Sequence, residues 1–366
     1  MKHIPYIQLG ITEQEYENSI SPLLKEIFIR GDFVGGGAVA EFESAFAEYC
    51  GCRYAATVNS GTDALELALE VHGIGHGDEV ITVGNSFIAT TNAISRLGAV
   101  PVLADIGRDL LINPDDIECR ITKKTKAILP VHLTGLVCEM DKICDIASKY
   151  GLVVIEDAAQ SVGSTYRSRF SGNLGDTGCF SLHPLKNLAG IGDGGIVTTN
   201  SKDEYELICS IRNHGIVNRD HQKLIGRVSR LDTLNAVILL HRLGKLDSIV
   251  SERQRKAALY NKLLKDTKGI SIYSPEQHRI HTYHVYIIQA ERRQELIKHL
   301  ETKGIQTKIH YPLPAYKQPC FRGVAENLPM TDILSEKILS LPIAITSEEE
   351  IEYIAEQINN FYSGKA

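Results

Sequence analysis

The chain has 366 residues, with 39 Lys and Arg against 45 Asp and Glu, a net charge of −6 with histidine neutral. Apolar residues make up 43% and charged residues 23%, which excludes a disordered or fibrous chain, and the negative balance argues against a basic nucleic-acid or membrane-surface binder. No apolar run approaches the roughly 18–20 residues of a membrane span. The start, MKHIPYIQLGITEQEYE, lacks the apolar core of a secretory signal, so a cytoplasmic protein is expected. The 8 cysteines (Cys50, Cys52, Cys119, Cys138, Cys144, Cys179, Cys209 and Cys320) form no CxxC pair and read as reduced thiols. No Cys or His pair has ligand spacing, so no metal site is expected.

In chain order, strands are predicted at 54–58, 79–83, 100–105, 127–133, 152–157, 179–182 and 195–199. Most are continuously apolar, which marks strands covered on both faces. Amphipathic stretches such as 62–71 and 141–150 fill the gaps as crossover helices. The pattern predicts a three-layer α/β domain on a mostly parallel sheet. Residues 231–264 read as one long helix passing from this domain to a smaller one. The last hundred residues mix a strand-like stretch at 282–289 with helices at 292–302 and 346–361, predicting a smaller C-terminal α+β domain. The predicted division is 1–240 and 241–366, with the N-terminal thirty residues free to pack elsewhere.

Ligands of open parallel sheets bind at the carboxyl ends of the strands. The strand 152–157 ends in Glu156 and Asp157. A carboxylate there is either an N-cap or ion-pair member, or it holds a cationic heterocycle. The strand 54–58 runs into Asn59, Ser60, Gly61 and Thr62 before a strongly apolar helix. That start is either ordinary capping by Ser60 or Thr62, or a phosphate cradle of free N–H groups. It is neither a Walker A loop nor a GxGxxG, so triphosphate and dinucleotide readings lose support. After 179–182 come His183, Pro184, Leu185, Lys186 and Asn187, and then Gly192, Asp193, Gly194 and Gly195. Lys186 is either a surface loop residue or a desolvated nucleophile. Combined, an anion cradle, a ring-nitrogen carboxylate and a secluded amine match the phosphate, pyridine nitrogen and aldehyde of pyridoxal 5′-phosphate.

Those segments resemble the pyridoxal-phosphate sugar aminotransferases of the DegT/StrS family, which have the aspartate aminotransferase fold (fold type I). The ordered set covers nearly the whole chain. It runs through Gly31-Asp32-Phe33, Val39 to Glu43, Asn59 to Leu65, Ser86 to Thr90, Pro130 to Leu133, Glu156 to Ser161 and Phe180 to Asn187. It continues through Gly192 to Gly195, Arg212 to Gly215, Ser229 to Asp232, Tyr283 to Tyr286 and His310 to Pro312. The resemblance implies that Lys186 is the lysine bonded to the cofactor and Asp157 the acid on the pyridine nitrogen. It implies that Gln160 lies near the phenolic oxygen, that Gly61, Thr62 and Ser181 hold the phosphate, and that Phe87 lies against the ring. His310, Tyr311 and Arg230 are candidate substrate contacts. His183 and His214 read as positional hydrogen-bonding residues.

The resemblance further implies a homodimer with active sites at its interface, L-glutamate as amino donor with L-glutamine as the alternative, and a keto sugar acceptor, most simply a nucleotide-linked keto-deoxysugar. A keto sugar phosphate or keto-inositol is the alternative acceptor, and a non-catalytic pyridoxal-phosphate-binding regulator the competing class. Two departures stand out. Val228 replaces an asparagine that in relatives reaches the neighbouring subunit's phosphate, with Arg227 beside it as a possible substitute. Thr134 replaces a common aromatic, which bears on the shape of the substrate pocket.

Overall fold

The computed structural model describes residues 3–218, 220–321, 323 and 327–364. Near the start, helices α1 (Ser21–Arg30) and α2 (Gly37–Cys50) precede the sheet. The central region then alternates strand and helix: β1 (Tyr54–Val58), α3 (Gly61–Val71), β2 (Glu79–Val83), α4 (Ile88–Arg96) and β3 (Val100–Ala104). It continues with β4 (Thr125–Ile128), α5 (Met140–Tyr150), β5 (Val153–Asp157), β6 (Thr177–Ser181), β7 (Gly195–Thr199) and α6 (Lys202–Ile211). The seven strands form one sheet in the order β1-β7-β6-β5-β4-β2-β3. Only β7 runs against the rest, pairing antiparallel with both β1 and β6. Residues such as Val80, Ile81, Ile128, Ile155 and Val197 have almost no exposure, because helices cover both faces as the continuous apolar runs require.

Strand β4 is shorter than expected. It stops at Ile128, before Pro130, which has no N–H to continue a ladder. Val131 makes only an isolated bridge to Asp157, and the chain then turns at Leu133–Gly135.

The expected long helix at 231–264 is two: α7 (Thr233–Leu243) and α8 (Leu246–Leu264), broken at Gly244 and Lys245. Helix α8 is the crossing element. Leu246 and Val250 pack with the core around α2 and α7, whereas Ala257, Tyr260 and Leu264 pack in a separate C-terminal core. That second core surrounds a three-stranded antiparallel sheet of β8 (Ile270–Ser271), β9 (Tyr286–Ala290) and β10 (Ile338–Leu341). Its helices are α9 (Arg293–Thr302) and α10 (Glu348–Ser363). Helix α10 starts with a capping box between Ser347 and Glu350, worth on the order of 1 kcal/mol.

The alternation expected at 282–289 holds only from Tyr286. Residues 282–285 are not a strand, and Tyr283 adopts φ +46°. The N-terminal segment packs on this C-terminal core: Ile4 is buried there and exchanges backbone hydrogen bonds with Gly304 and Gln306. Among the described residues no helix is long and apolar enough to cross a membrane.

Candidate active site

A cavity of about 480 Å³ opens at the carboxyl ends of β1, β2, β5 and β6, where the C-terminal sheet region leans over the large sheet. Gly61, Thr62, Phe87, Asp157, Gln160, Ser181, Lys186, His310 and Tyr311 all line it. Arg230 does not: it is exposed and donates to Asn213 Oδ1 at 3.1 Å. His183 also lines the cavity, while His214 is exposed and absent from its lining.

At the end of β1, Ser60 caps α3 by accepting from the Asp63 N–H at 3.1 Å, leaving the first helical N–H groups facing the cavity. A Cβ on Gly61 would sit 2.7 Å from Ser181 Cβ, so glycine is required for the helix start to press against the end of β6. Ser229, fully buried, links this start to a distant loop: it donates to Asp63 Oδ2 at 2.6 Å and accepts from Asn59 N–H at 3.2 Å.

Asp157 ends β5 and is buried. Thr90 donates to its Oδ2 at 2.8 Å and the Ala159 N–H to its Oδ1 at 3.2 Å. Burial raises its pKa above the usual carboxylate value, against the pull of Thr90, Ala159 and Lys186. Behind it, Glu156 is wholly buried and satisfied. It accepts from His132 Nε2 at 2.8 Å and from the N–H groups of Gly172, Leu174 and Gly175 at 2.7–2.8 Å. Burial alone would raise its pKa; the His132 contact and the backbone donors more than offset that and hold it low.

Lys186 lies on a loop closed at its base by the Gly190 N–H donating to the Leu182 carbonyl at 2.8 Å. Burial pushes its pKa down to about 8, with Asp157 pulling the other way. The free amine is therefore present near neutral pH as a minority form, which an ordinary lysine scarcely populates. Gln160 donates to the Tyr311 hydroxyl at 3.1 Å and accepts from the Thr134 N–H at 2.7 Å. The Phe87 and Tyr311 rings are 5.6 Å apart at the mouth. His310 Nδ1 meets Ser340 Oγ at 2.8 Å, and burial, with Lys186 and Lys308, lowers its pKa to about 4.

Thr134 stands outside this cavity. It lines a separate void of about 40 Å³ with His281 and Tyr283. Arg227 also points elsewhere, pairing with Glu70 at 3.0 Å and Glu66 at 3.6 Å on α3. Tyr6, Thr90, Arg253 and Lys308 line the cavity and escape sequence reasoning. One of them had a signal: Leu246, Val250, Arg253, Ala257, Tyr260 and Leu264 follow one helical stripe, and Arg253 is the charge within it.

The donor set fits pyridoxal phosphate. A partly buried amine, a buried carboxylate of raised pKa and a helix start packed against Ser181 converge on one space. The DegT/DnrJ/EryC1/StrS aminotransferase family profile matches residues 14–359, and the chain belongs to that family. It is 37% identical to the "Pleiotropic regulatory protein" of Geobacillus stearothermophilus, over 98% of this chain and 99% of that one. It is 38% identical to the dTDP-3-amino-3,6-dideoxy-alpha-D-galactopyranose transaminase of Aneurinibacillus thermoaerophilus, over 98% and 99%. The crystal structure of S. venezuelae DesV with a ketimine intermediate superposes with a TM-score of 0.96 at 34% identity, covering 99% of both chains. The family is pyridoxal-phosphate-dependent, and this chain is an aminotransferase of fold type I.

Proposed function

We infer that this aminotransferase moves the amino group of L-glutamate to a keto sugar, in the first place a nucleotide-linked keto-deoxysugar. The product is an amino sugar for surface polysaccharide or secondary metabolism. The observation that carries this reading is the convergence of Lys186, Asp157 and the α3 start on one cavity. When bound, pyridoxal phosphate supplies a sink for the electrons released as a bond to the donor's α-carbon breaks.

Lys186 would hold the cofactor through its ε-amine, and the same amine, when free, would take up and return the proton of the donor's α-carbon. Asp157, oriented by Thr90, keeps a proton on the ring nitrogen; that cationic partner relieves the cost of its burial. The N–H groups of Gly61 and Thr62 and the Ser181 hydroxyl bind the phosphate. Phe87 would cover the ring, Gln160 would hold the phenolic oxygen, and His310 and Tyr311 would contact the sugar. The same groups act in reverse on the keto sugar, so the kinetics are ping-pong.

The break at Gly244 and the separate C-terminal core support a division into 1–240 and 241–366, with Ile4 joining the smaller part. Exposed Phe28, Ile29, Phe33 and Val34 on and after α1 support a homodimer.

Borohydride treatment of the cofactor-saturated protein, followed by peptide mass mapping, is expected to place a pyridoxyl group on Lys186. Lys186→Ala is expected to lose both that adduct and turnover. A wild-type protein that stays colourless and unlabelled overturns the reading. A panel of nucleotide-linked keto sugars with glutamate, read by product mass, identifies the acceptor.

A further inference from the structure

The phosphate-suited start of α3 carries an acid of its own. Asp63 stands in the first helical turn, half-buried, and no Lys, Arg or His pairs with it among the described residues. Ser60, Gly61, Thr62 and Leu65 line the cavity, and Asp63 does not. Its carboxylate is turned instead to Ser229, whose hydroxyl donates to Oδ2 at 2.6 Å. The same hydroxyl accepts from the Asn59 N–H at 3.2 Å. One fully buried side chain therefore spans the turn, from the residue before Ser60 to the third residue of the helix.

Ser229 is itself held by its surroundings. Its N–H donates to the Arg212 carbonyl at 2.9 Å, and the Arg227 N–H donates to the Ile211 carbonyl at 2.9 Å. The Arg212 guanidinium donates in turn to the Thr57 carbonyl of β1 at 2.6 Å. The Arg227 side chain is clamped to α3 through Glu70 and Glu66. Ser229 is thus fixed against both β1 and α3, so it sets the direction of Asp63 and does not merely follow it. The charge makes that direction matter. An acid in the first turn of a helix is drawn to the free N–H groups there, and a phosphate is drawn to the same groups. A carboxylate released at position 63 would compete with a bound phosphate for those donors and repel it.

We propose that Ser229 is a positioning residue for the cofactor phosphate: it holds the Asp63 carboxylate outside the cavity and keeps the Gly61 and Thr62 N–H groups open to the anion. The proposal rests on the aminotransferase reading above. It concerns the phosphate alone, because Asp157 ends β5 and Lys186 follows β6, away from the β1–α3 turn. A hydroxyl suits the task because it both donates and accepts, which bridging Asp63 and Asn59 requires. Its hydrogen bond to a carboxylate is charge-assisted, and truncating Ser229 leaves that carboxylate without its partner.

The test titrates the cofactor-free full-length chain with pyridoxal phosphate and, separately, with pyridoxal, which lacks the phosphate but carries the same aldehyde. Visible absorbance reads both. Borohydride labelling of wild-type Lys186 comes first: an unlabelled protein sinks the aminotransferase reading, whereas a labelled one leaves the role of Ser229 to be decided by itself. In Ser229→Ala the pyridoxal phosphate concentration giving half-saturation is expected to rise about 10-fold, with the pyridoxal titration unchanged. Adding Asp63→Asn to Ser229→Ala is expected to recover most of that loss, because the harm comes from the released charge. Ser229→Cys, a weaker donor, is expected to fall between, and it carries the test if the Ala variant does not fold. An unchanged pyridoxal phosphate titration overturns the proposal. So does equal weakening of pyridoxal phosphate and pyridoxal, the mark of a general loss of structure. Failure of Asp63→Asn to restore binding also overturns it and leaves Ser229 as a brace of the turn only.

Discussion

Lys186 and Asp157 show how a shared cavity sets two charges against their ordinary titration. Burial lowers the lysine to about 8 and raises the aspartate. The sign for Lys186 follows directly. Its free amine, the proposed nucleophile, is scarce below pH 8 and dominant above it. Covalent capture of added pyridoxal phosphate by the cofactor-free protein is therefore expected to speed up as pH rises and to level off above about 8, measured by stopped-flow absorbance. A rate that keeps climbing toward the ordinary lysine value of 10.5 would show that burial is not depressing this amine. The depressed pKa also opposes folding. That cost is fully present below about 8 and fades as pH rises toward 10.5.

At the scale of the elements, each strand end delivers its side chain because something local holds it there. The α3 start depends on contact between Gly61 and Ser181. Gly61→Ala is expected to cost about 1–3 kcal/mol by denaturant unfolding and to weaken cofactor binding at the same time, since the same shift pulls Ser181 away. Strand β5 depends on Glu156, which ties His132 and the 172–175 turn to the residue before Asp157. Glu156→Gln replaces an acceptor-only carboxylate with an amide whose NH₂ faces backbone donors, and is expected to destabilise by about 2–4 kcal/mol. Its folded pKa is lowered, so the stabilisation is present above the ordinary carboxylate value of 4.5 and is lost as pH falls through the folded value. Thermal melts at descending pH should show wild-type stability falling toward the variant's, and parallel curves would refute the assignment.

The whole molecule carries a test of its own. Phe28 and Phe33 stack edge to face, with ring centroids 5.5 Å apart, and Ile29 is 75% exposed beside them. The proposed homodimer would bury this patch, so Ile29→Glu is expected to move the species seen by sedimentation toward monomer. An unchanged sedimentation profile would place the partner face elsewhere. The architecture was largely legible beforehand because fully covered strands must be continuously apolar, and the expected strands at 54–58, 79–83 and 195–199 match residue for residue. Failures came where one local event overrides periodicity. Pro130 follows the end of β4, Gly244 breaks the long helix, and Tyr283 at φ +46° interrupts the extended run before β9. The sequence alone determined the family, the sheet and the Lys186–Asp157 pair, since motif and strand-end position are local properties of the chain. Only the tertiary structure decided that Arg230 stands outside the cavity and that Tyr6, Thr90 and Arg253 stand within it. Tyr6 and Arg253 are brought there by the packing of the N-terminal segment and α8, contacts between stretches hundreds of residues apart that no local pattern encodes.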